Sequence, residues 1–205
     1  MFNGLVREIA LVKSYQNNVL SLIAKHKPNL GDSVAVNGAC LSVTQVLQNG
    51  FAVELSKETR THIATENLKD KVHIEPALRF GERIDGHLLQ GHIDGIGEIS
   101  RIVPNENGVD FFVKVPANLA KFMAQKGSVA IDGVSLTINE VLNGEIRLTL
   151  IPLTLRESLF GGYKVGRRVN IESDLLARYV AQMLENKESQ KDISWQEIDK
   201  IAYLY

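Results

Sequence analysis

Hydrophobic positions in this chain fall in short runs of Val, Ile and Leu that are separated by Gly, Pro, Asn and Asp. Runs of this length and composition are typical of β-strands. In the first half, strands are predicted at Leu5–Val12, Val19–Ala24, Val34–Leu47, Phe51–Leu55 and Val72–Ile74. In the second half, they are predicted at Gly95–Val103, Phe111–Val115, Val129–Leu142, Ile146–Ile151 and Val169–Ile171. Short helices are expected at Arg60–Glu66, Asn118–Gln125 and Leu155–Gly161.

The second half of this pattern repeats the first. Ser33–Leu47 aligns with Ser128–Leu142 at an offset of 95 residues, and seven of the fifteen aligned positions are identical. The hairpin signal Asn49-Gly50 recurs at Asn143-Gly144, and both residue types accept a positive φ. A chain of 205 residues with such a repeat is two copies of one small domain. Five or six short strands per copy favour a closed or nearly closed barrel, because closure removes exposed sheet edges.

The pattern changes at the C-terminus, where apolar residues follow a helical period after Asp174, which is placed to cap the helix. The residues of this apolar face are Leu175, Leu176, Tyr179, Val180, Met183 and Leu184. A polar break at Asn186–Asp192 precedes a capping-box pattern, Ser194-Trp-Gln-Glu197, that predicts a second helix through Ile198 and Ile201. The apolar face can cover another subunit or pack back onto its own barrel, and the pattern leaves both open.

Charge and composition narrow the function classes. The chain has 23 basic and 24 acidic residues without a long block of like charge, which argues against nucleic acid or an anionic membrane as partner. Apolar runs fall short of the roughly 20 residues that a membrane span needs, and no charged-then-apolar leader is present. Cys40 is the only cysteine, so we expect no intrachain disulfide and a cytoplasmic location.

Two polar loops of the repeat are candidates for chemistry: Asn37-Gly-Ala-Cys-Leu-Ser42 and Asp132-Gly-Val-Ser-Leu-Thr137. A glycine between two strand segments marks a bulge or a close backbone approach. Small polar groups and backbone amides beside an apolar wall suit a flat heterocycle with carbonyls and ring nitrogens. A single loop of this kind is more often a turn whose hydroxyls bind their own backbone. Its recurrence, with Cys40 and Ser135 at the same place, favours a functional site.

A second dense cluster is Gly86-His-Leu-Leu-Gln-Gly-His-Ile-Asp-Gly95. Its histidines, His87 and His92, are five apart and fit neither a strand face nor the i, i+4 metal pair of a helix, so we predict no metal site. The glycines indicate backbone close to a ligand or, alternatively, a linker that enters a strand. Lys126 is either a solvated side chain or a ligand contact, and Asp174 is a helix cap first and a catalytic acid or base second.

These motifs occur together in one known family. They are Met1-Phe-Asn-Gly-Leu-Val6, Gly31–Val43, Gly86–Gly95, Lys126–Thr137 and Val169–Leu176. Through residues 1–185 the chain resembles riboflavin synthases. The resemblance implies an all-β fold of two tandem six-stranded Greek-key barrels, at 1–86 and 87–185. It also implies a C-terminal helical segment, 175–205, that holds a homotrimer.

The activity that the resemblance implies is a transferase reaction of riboflavin biosynthesis without cofactor or metal. Two molecules of 6,7-dimethyl-8-ribityllumazine exchange a four-carbon unit and give riboflavin and 5-amino-6-(D-ribitylamino)uracil. Each active site would lie between the N-terminal barrel of one subunit and the C-terminal barrel of another. Which barrel holds the donor and which the acceptor stays open.

Matched residue by residue, the positions that the family links to catalysis are Phe2, Cys40, His92, Ser135 and Asp174. Substrate contacts in the first barrel fall on Gly4, Leu5, Val6, Cys40, Leu41, Ser42, Glu54, Leu55, Ser56, Lys57, Glu58 and Thr59. In the second barrel they fall on Gly91, His92, Ile93, Ser135, Leu136, Thr137, Ile151, Pro152, Leu153, Thr154, Leu155 and Arg156. Lys126 would reach in from the partner chain.

Four positions depart from the family pattern. Asn3 and Ser42 stand where Thr is common, Asp85 replaces a glycine before the histidine, and Leu153 replaces the Glu of Pro-Glu-Thr. The alternative function is a non-catalytic lumazine- or flavin-binding protein of the same fold, in which pocket residues of one barrel are often lost. Both loops here keep a hydroxyl or thiol, which favours the enzyme. A reductase flavin barrel would need a nucleotide-binding domain with a Gly-rich phosphate loop, which the sequence lacks.

Overall fold

Two closed antiparallel barrels and one long helix make up the computed structural model, which describes residues 1–189. The first barrel contains β1 (Glu8–Gln16), β2 (Val19–Ile23), β3 (Ser33–Val36), β4 (Ala39–Leu47), β5 (Gly50–Glu54) and β6 (Lys71–Pro76). The second contains β7 (Gly95–Asn105), β8 (Gly108–Lys114), β9 (Ser128–Ile131), β10 (Val134–Val141), β11 (Glu145–Leu150) and β12 (Arg168–Ser173). The helices are α1 (Lys57–His62), α2 (Pro152–Glu157) and α3 (Leu175–Ser189).

Both barrels have the same strand order. The ring runs β1-β2-β5-β4-β3-β6 in the first barrel, and the pairing of β6 with β1 closes it. In the second barrel it runs β7-β8-β11-β10-β9-β12, and β12 closes it on β7. Because each position in one ring has its repeat counterpart at the same place in the other, the predicted pair of repeated six-stranded barrels is confirmed.

Each barrel encloses its own apolar core, built from alternate residues of its strands. Leu20, Phe51 and Ile74 are fully buried in the first core. In the second core, Phe111 and Phe160 meet edge to face with ring centroids 5.3 Å apart. This edge-to-face geometry is the preferred one for aromatic pairs, and it fixes the short 3-10 helix at Leu159–Gly162 on the barrel.

The structure corrects the two longest predicted strands. Val34–Leu47 and Val129–Leu142 are each a hairpin of two strands, because a turn interrupts them at Asn37-Gly38 and at Asp132-Gly133. All four turn residues have positive φ, between 44° and 85°. This is the mirror-image turn that two-residue hairpins favour. The first strand also begins at Glu8 and not at Leu5, so the N-terminal residues remain free for another role.

The short helices begin earlier than predicted. Helix α1 starts at Lys57 because the Ser56 hydroxyl accepts a hydrogen bond from the Thr59 N–H at 3.0 Å. Helix α2 starts with Pro152, whose fixed φ suits the first helical position. The remaining short segments are 3-10 helices, at Thr65–Asn67, Ala117–Phe122 and Leu159–Gly162.

The predicted C-terminal helix is confirmed as α3, and Asp174 caps it by accepting the Leu176 N–H at 2.8 Å. The helix continues to Ser189, through the polar break predicted to begin at Asn186. The second helix predicted over Ser194–Ile201 lies outside the described residues. Between residues 1 and 189, no helix is long and apolar enough to cross a membrane.

A buried polar seam joins the two barrels. The His73 ring on β6 donates from Nδ1 to the Asp132 carbonyl at 2.9 Å, and its Nε2 accepts the Leu159 N–H at 2.7 Å. The Asn170 amide donates to the Asn37 carbonyl at 2.8 Å and accepts the Ala64 N–H at 2.8 Å. Because each bond crosses from one barrel to the other, the barrels hold a fixed relative position.

The seam histidine predicts a pH-dependent contribution to stability. Burial lowers the pKa of His73 from 6.5 to about 4, so the unfolded chain binds its proton more readily. The contribution of neutral His73 to the free energy of unfolding is therefore complete above pH 6.5, and it is lost as the pH falls from 6.5 through 4. We expect His73→Gln to be less stable than the parent chain at pH 7, with a deficit that shrinks by about 3 kcal/mol near pH 3.5.

Denaturant unfolding of the parent chain and the variant at several pH values measures this deficit, and comparing them cancels the other titrating groups. Asn170→Ala, at a residue of the same seam that does not titrate, is the matched control and should show no such trend. A His73→Gln deficit that stays constant from neutral to acid pH would contradict the expectation.

Candidate functional site

The two halves exchange the segments that complete their polar loops. Phe2 pairs with Leu89 through two backbone hydrogen bonds, of 2.8 and 3.0 Å, at the centre of the molecule. Beyond this pair, the Gly4 carbonyl accepts the Ser135 N–H of the second barrel at 2.8 Å. The Gly91 carbonyl likewise accepts the Cys40 N–H of the first barrel at 2.8 Å. Each loop is therefore completed by a segment that precedes the other barrel.

Two buried carboxyl groups hold these crossing segments. Glu75 accepts the N–H groups of Asn3 and Gly4 at 2.8 and 3.1 Å. Its repeat counterpart Glu172 accepts those of Gln90 and Gly91 at 2.8 and 3.0 Å. Burial raises the pKa of both carboxyl groups to about 7, and the N–H donors oppose this rise. The carboxylates thus fix each segment at the point where it reaches the opposite loop.

Glycine is required where the crossing segments touch the loops. Gly4 and Gly91 both have φ of 76°, which L side chains rarely adopt. A methyl group on Gly91 would lie 2.6 Å from the Cys40 Cβ, and one on Gly4 would lie 2.5 Å from the Ser135 Cβ. No side chain fits in that space, so the sequence needs glycine at both positions.

This exchange changes how the expected substrate contacts are grouped. We expected Gly4–Val6 to act with the first barrel and Gly91–Ile93 to act with the second. The structure instead places Gly91–Ile93 beside Cys40 and Gly4–Val6 beside the second barrel, where Val6 packs against the core. The repeat could not reveal this, because both segments precede equivalent strands in the sequence.

A cavity of about 470 Å³ opens beside Cys40. It is lined by Ala39, Cys40, Glu58, Thr59, His62, Ile63, Gly91, His92 and Ile93. The volume is within the range of small-molecule sites. Of the lining residues, Ala39, His62 and Ile63 were not among the substrate contacts expected from the sequence. The signal for His62 was its position four residues after Glu58, one helical turn further on the same face.

The Ser135 loop holds a polar pair instead of an open cavity. The Ser135 Oγ and the His87 Nδ1 are 2.7 Å apart. Burial lowers the pKa of His87, while the nearby Asp174 charge opposes this shift. A lowered pKa favours the neutral ring at pH 7, and in that form the ring can act as a base that accepts the hydroxyl proton. Sequence reasoning had noted His87 but had not placed it in the site.

A second space, of about 460 Å³, lies between the N-terminal residues that enter β1 and helix α2 of the second barrel. It is lined by Val6, Arg7, Glu8, Ile9, Lys25, Arg156 and Glu157. Ser135 lies outside this lining, and so does every residue that lines the Cys40 cavity. Each cavity therefore has its own set of polar groups, and the two do not merge within one chain.

Several of the other expected site residues do not line either cavity with their side chains. Phe2 is buried between the barrels with Leu89, and Leu41 and Leu55 point into the first core, so only their backbone can meet a ligand. Lys126 has φ of 67° in a turn before β9 and lines neither cavity. Ile151 and Leu153 are about half exposed at the start of α2.

The two histidines of the Gly86–Gly95 cluster serve different sites. His87 binds Ser135, whereas His92 lines the Cys40 cavity. Within residues 1–189, no three His, Cys, Asp or Glu side chains form a group that could hold a metal ion. The Gly86–Gly95 cluster therefore contributes one histidine to the Ser135 loop and the other to the Cys40 cavity.

Comparisons with known proteins agree with this repeated architecture. A family model described as "Lumazine binding domain" matches residues 3–77 and again residues 90–174. The riboflavin synthase of Photobacterium leiognathi is 36% identical over 195 residues, which are 90% of this chain and 89% of that protein. The riboflavin synthase of Bacillus subtilis (strain 168) is 36% identical over 203 residues, which are 93% of this chain and 94% of that protein.

Solved structures share the fold. The crystal structure of LumP complexed with riboflavin superposes with a TM-score of 0.76 at 22% identity, covering 84% of this chain and 99% of that one. LumP complexed with 6,7-dimethyl-8-(1'-D-ribityl) lumazine gives a TM-score of 0.74 at 21% identity with the same coverage. At this level of identity, the likeness concerns the fold alone.

Proposed function

The chain belongs to the riboflavin synthase family of proteins with two lumazine-binding domains, and we propose that it catalyses the transferase reaction of that family. Two molecules of 6,7-dimethyl-8-ribityllumazine react, and one gives its four-carbon unit to the other. The products are riboflavin and 5-amino-6-(D-ribitylamino)uracil, so the atoms balance without a cofactor. The observation that carries the proposal is the pair of repeat-related loops, which carry a thiol or a hydroxyl at the same position, Cys40 and Ser135.

Two equivalent sites suit a reaction between two identical molecules. Holding both in attack geometry removes about 7–11 kcal/mol of the barrier. The 7-methyl group of one lumazine loses a proton, and a nucleophile adds to C7 of the other. The protein has to bind both rings, supply a nucleophile and move protons. Ser135 with the uncharged His87, and Cys40 in its cavity, are the groups that we assign to these tasks.

We assign the remaining roles from the family match. The proposed catalytic residues are Phe2, Cys40, His92, Ser135 and Asp174, and the substrate contacts are those expected from the sequence. Support for them is uneven. Cys40, Glu58, Thr59 and Gly91–Ile93 share one cavity, and Val6 and Arg156 line the other. Phe2 acts by position, because it pairs the crossing segments that shape both sites.

We further propose a cytoplasmic homotrimer in which each active site combines cavities of two subunits. The two cavities of one chain have no lining residue in common, yet the two substrates must touch. The apolar face of α3 supports assembly: Leu176, Tyr179, Val180, Met183 and Leu184 are each more than half exposed. The proposed division is 1–86 and 87–185 for the barrels and 175–205 for the assembly segment, with Lys126 reaching a neighbouring subunit.

Incubation of the purified protein with 6,7-dimethyl-8-ribityllumazine alone tests the function. We expect riboflavin absorbance to grow without any additive, with two lumazines consumed for each riboflavin formed. Boiled protein is the control for the spontaneous reaction. Tight binding of the lumazine without turnover would overturn the proposal in favour of a non-catalytic lumazine-binding protein.

A further inference from the structure

Helix α3 is tied to the second barrel through Arg178. Its Nη1 lies 3.1 Å from the Asp94 Oδ1, and its Nη2 lies 3.2 Å from the Gln90 Oε1. The same Nη2 is 3.7 Å from the Glu172 Oε1. The Arg178 side chain is only 21% exposed, so these contacts are shielded from solvent and stronger than surface pairs.

All three partners of Arg178 act on the segment that lines the Cys40 cavity. Glu172 accepts the N–H groups of Gln90 and Gly91. Asp94 follows Ile93 at the end of the segment, and its carboxylate accepts hydrogen bonds from the N–H and the hydroxyl of Ser173, at 2.7 and 2.6 Å. The guanidinium also opposes the effect of burial on the Glu172 pKa, which keeps the carboxylate available as an acceptor.

The crossing segment of the other half, at Gly4, has no equivalent of these Arg178 contacts within residues 1–189. Glu75 holds the Gly4 segment in the same way, and the Arg7 charge opposes the effect of burial on its pKa, but among the described residues no side-chain cation lies within 4 Å of its carboxylate as Arg178 does at Glu172. Helix α3 follows only the second barrel. The two sites are therefore equivalent in their loops and crossing segments and different in this contact. A reaction with a donor and an acceptor requires two sites that differ.

We propose that Arg178 is a positioning residue for the Cys40 cavity. Through Asp94, Gln90 and Glu172 it holds Gly91–Ile93 against Cys40, and it thereby couples helix α3 to one of the two sites. The proposal rests on the proposed function only for the identity of the ligand, since the coupling itself is a property of the fold.

Cys40 provides a test that does not depend on activity. It is the only cysteine, so a thiol reagent such as a disulfide dye reports on this cavity alone. Arg178→Met should raise the rate of Cys40 modification about tenfold, because one or two charged hydrogen bonds that hold the segment are lost. Arg178→Lys keeps the charge but not the fork of donors, so its rate should fall between those of Met and Arg.

Hydrogen exchange separates positioning from general destabilisation. The Cys40 N–H is bound to Gly91 and the Ser135 N–H to Gly4, so the two amides are matched probes of the two sites. Arg178→Met should lower the protection of Cys40 about tenfold and leave that of Ser135 unchanged. With lumazine as substrate, KM should rise more than kcat falls, because Arg178 does not line the cavity.

Lys187→Met is the matched control, since it removes a positive charge from the exposed end of the same helix. It should match the parent chain in all three measurements. Equal loss of protection at Cys40 and Ser135, or a change of oligomeric state by light scattering in Arg178→Met, would overturn the proposal. Absence of lumazine turnover in the parent chain would refute the proposed function. The thiol and hydrogen-exchange measurements need no substrate, so they would still test the positioning role of Arg178.

Discussion

A chain in which Val180 and Met183 are both replaced by Asp is expected to lose the proposed trimer and all of its riboflavin synthesis together. Both residues are more than half exposed on α3, so charges there cost the subunit fold little. In a trimer held by this face the same charges would be buried without partners, which costs several kcal/mol for each subunit. If each active site combines two subunits, the separated subunits hold only unpaired halves of it.

Light scattering and lumazine turnover measure the two losses on one sample, and near-ultraviolet circular dichroism reports whether the barrels remain folded. The variant retains Arg178. A loss of activity would therefore report on assembly and not on the proposed positioning of the Cys40 cavity by Arg178. Leu30→Asp is the matched control, because it puts the same charge on an exposed apolar residue of the first barrel. A monomeric variant that still makes riboflavin would exclude an active site between subunits.

Ser135→Ala is expected to lower kcat by about a hundredfold or more, because the lost hydroxyl is the group that we propose transfers a proton with His87, 2.7 Å away. Cys40→Ala should slow turnover without abolishing it and should weaken binding by about 0.5–1.5 kcal/mol. The two substitutions differ because the two loops differ in their surroundings. Ser135 has a neutral imidazole at 2.7 Å, whereas Cys40 faces an open cavity.

Steady-state kinetics of both variants with lumazine distinguish binding from chemistry. Ser100→Ala is the control, since it removes a hydroxyl of the second barrel that donates to the Phe112 carbonyl and lines neither cavity. Equal effects of Ser135→Ala and Cys40→Ala on KM alone would show that both loops only bind, and the catalytic groups would have to be sought elsewhere.

Secondary structure followed from the sequence wherever local chemistry decided it. The repeat, the Asn143-Gly144 hairpin and the Asp174 cap depend on residue types and on neighbours within a few positions, and each is present as expected. The missed turns at Asn37-Gly38 and Asp132-Gly133 carry the same kind of local signal. They were hidden because apolar residues continue on both sides of each turn, so the run resembled one long strand.

The residues of the candidate site likewise fall into those that the sequence predicted and those that only the fold brings together. Cys40 and Ser135 were found from the sequence because the repeat put them at one position of one motif. His87 and Arg178, the proposed positioning residue, carry no such signal. Their roles arise from contacts over long stretches of chain, such as the 48 positions between His87 and Ser135.

By itself, the sequence determined two repeated barrels, a terminal helix and a pair of loops that carry a thiol and a hydroxyl. Short-range periodicity and turn chemistry specify these features, since they need only neighbouring residues. Only the tertiary structure decided that the segments cross, so that Gly91 completes the Cys40 loop and Gly4 completes the Ser135 loop. The reason is that the buried loop N–H groups of Cys40 and Ser135 find their acceptors, the Gly91 and Gly4 carbonyls, only once both barrels have closed.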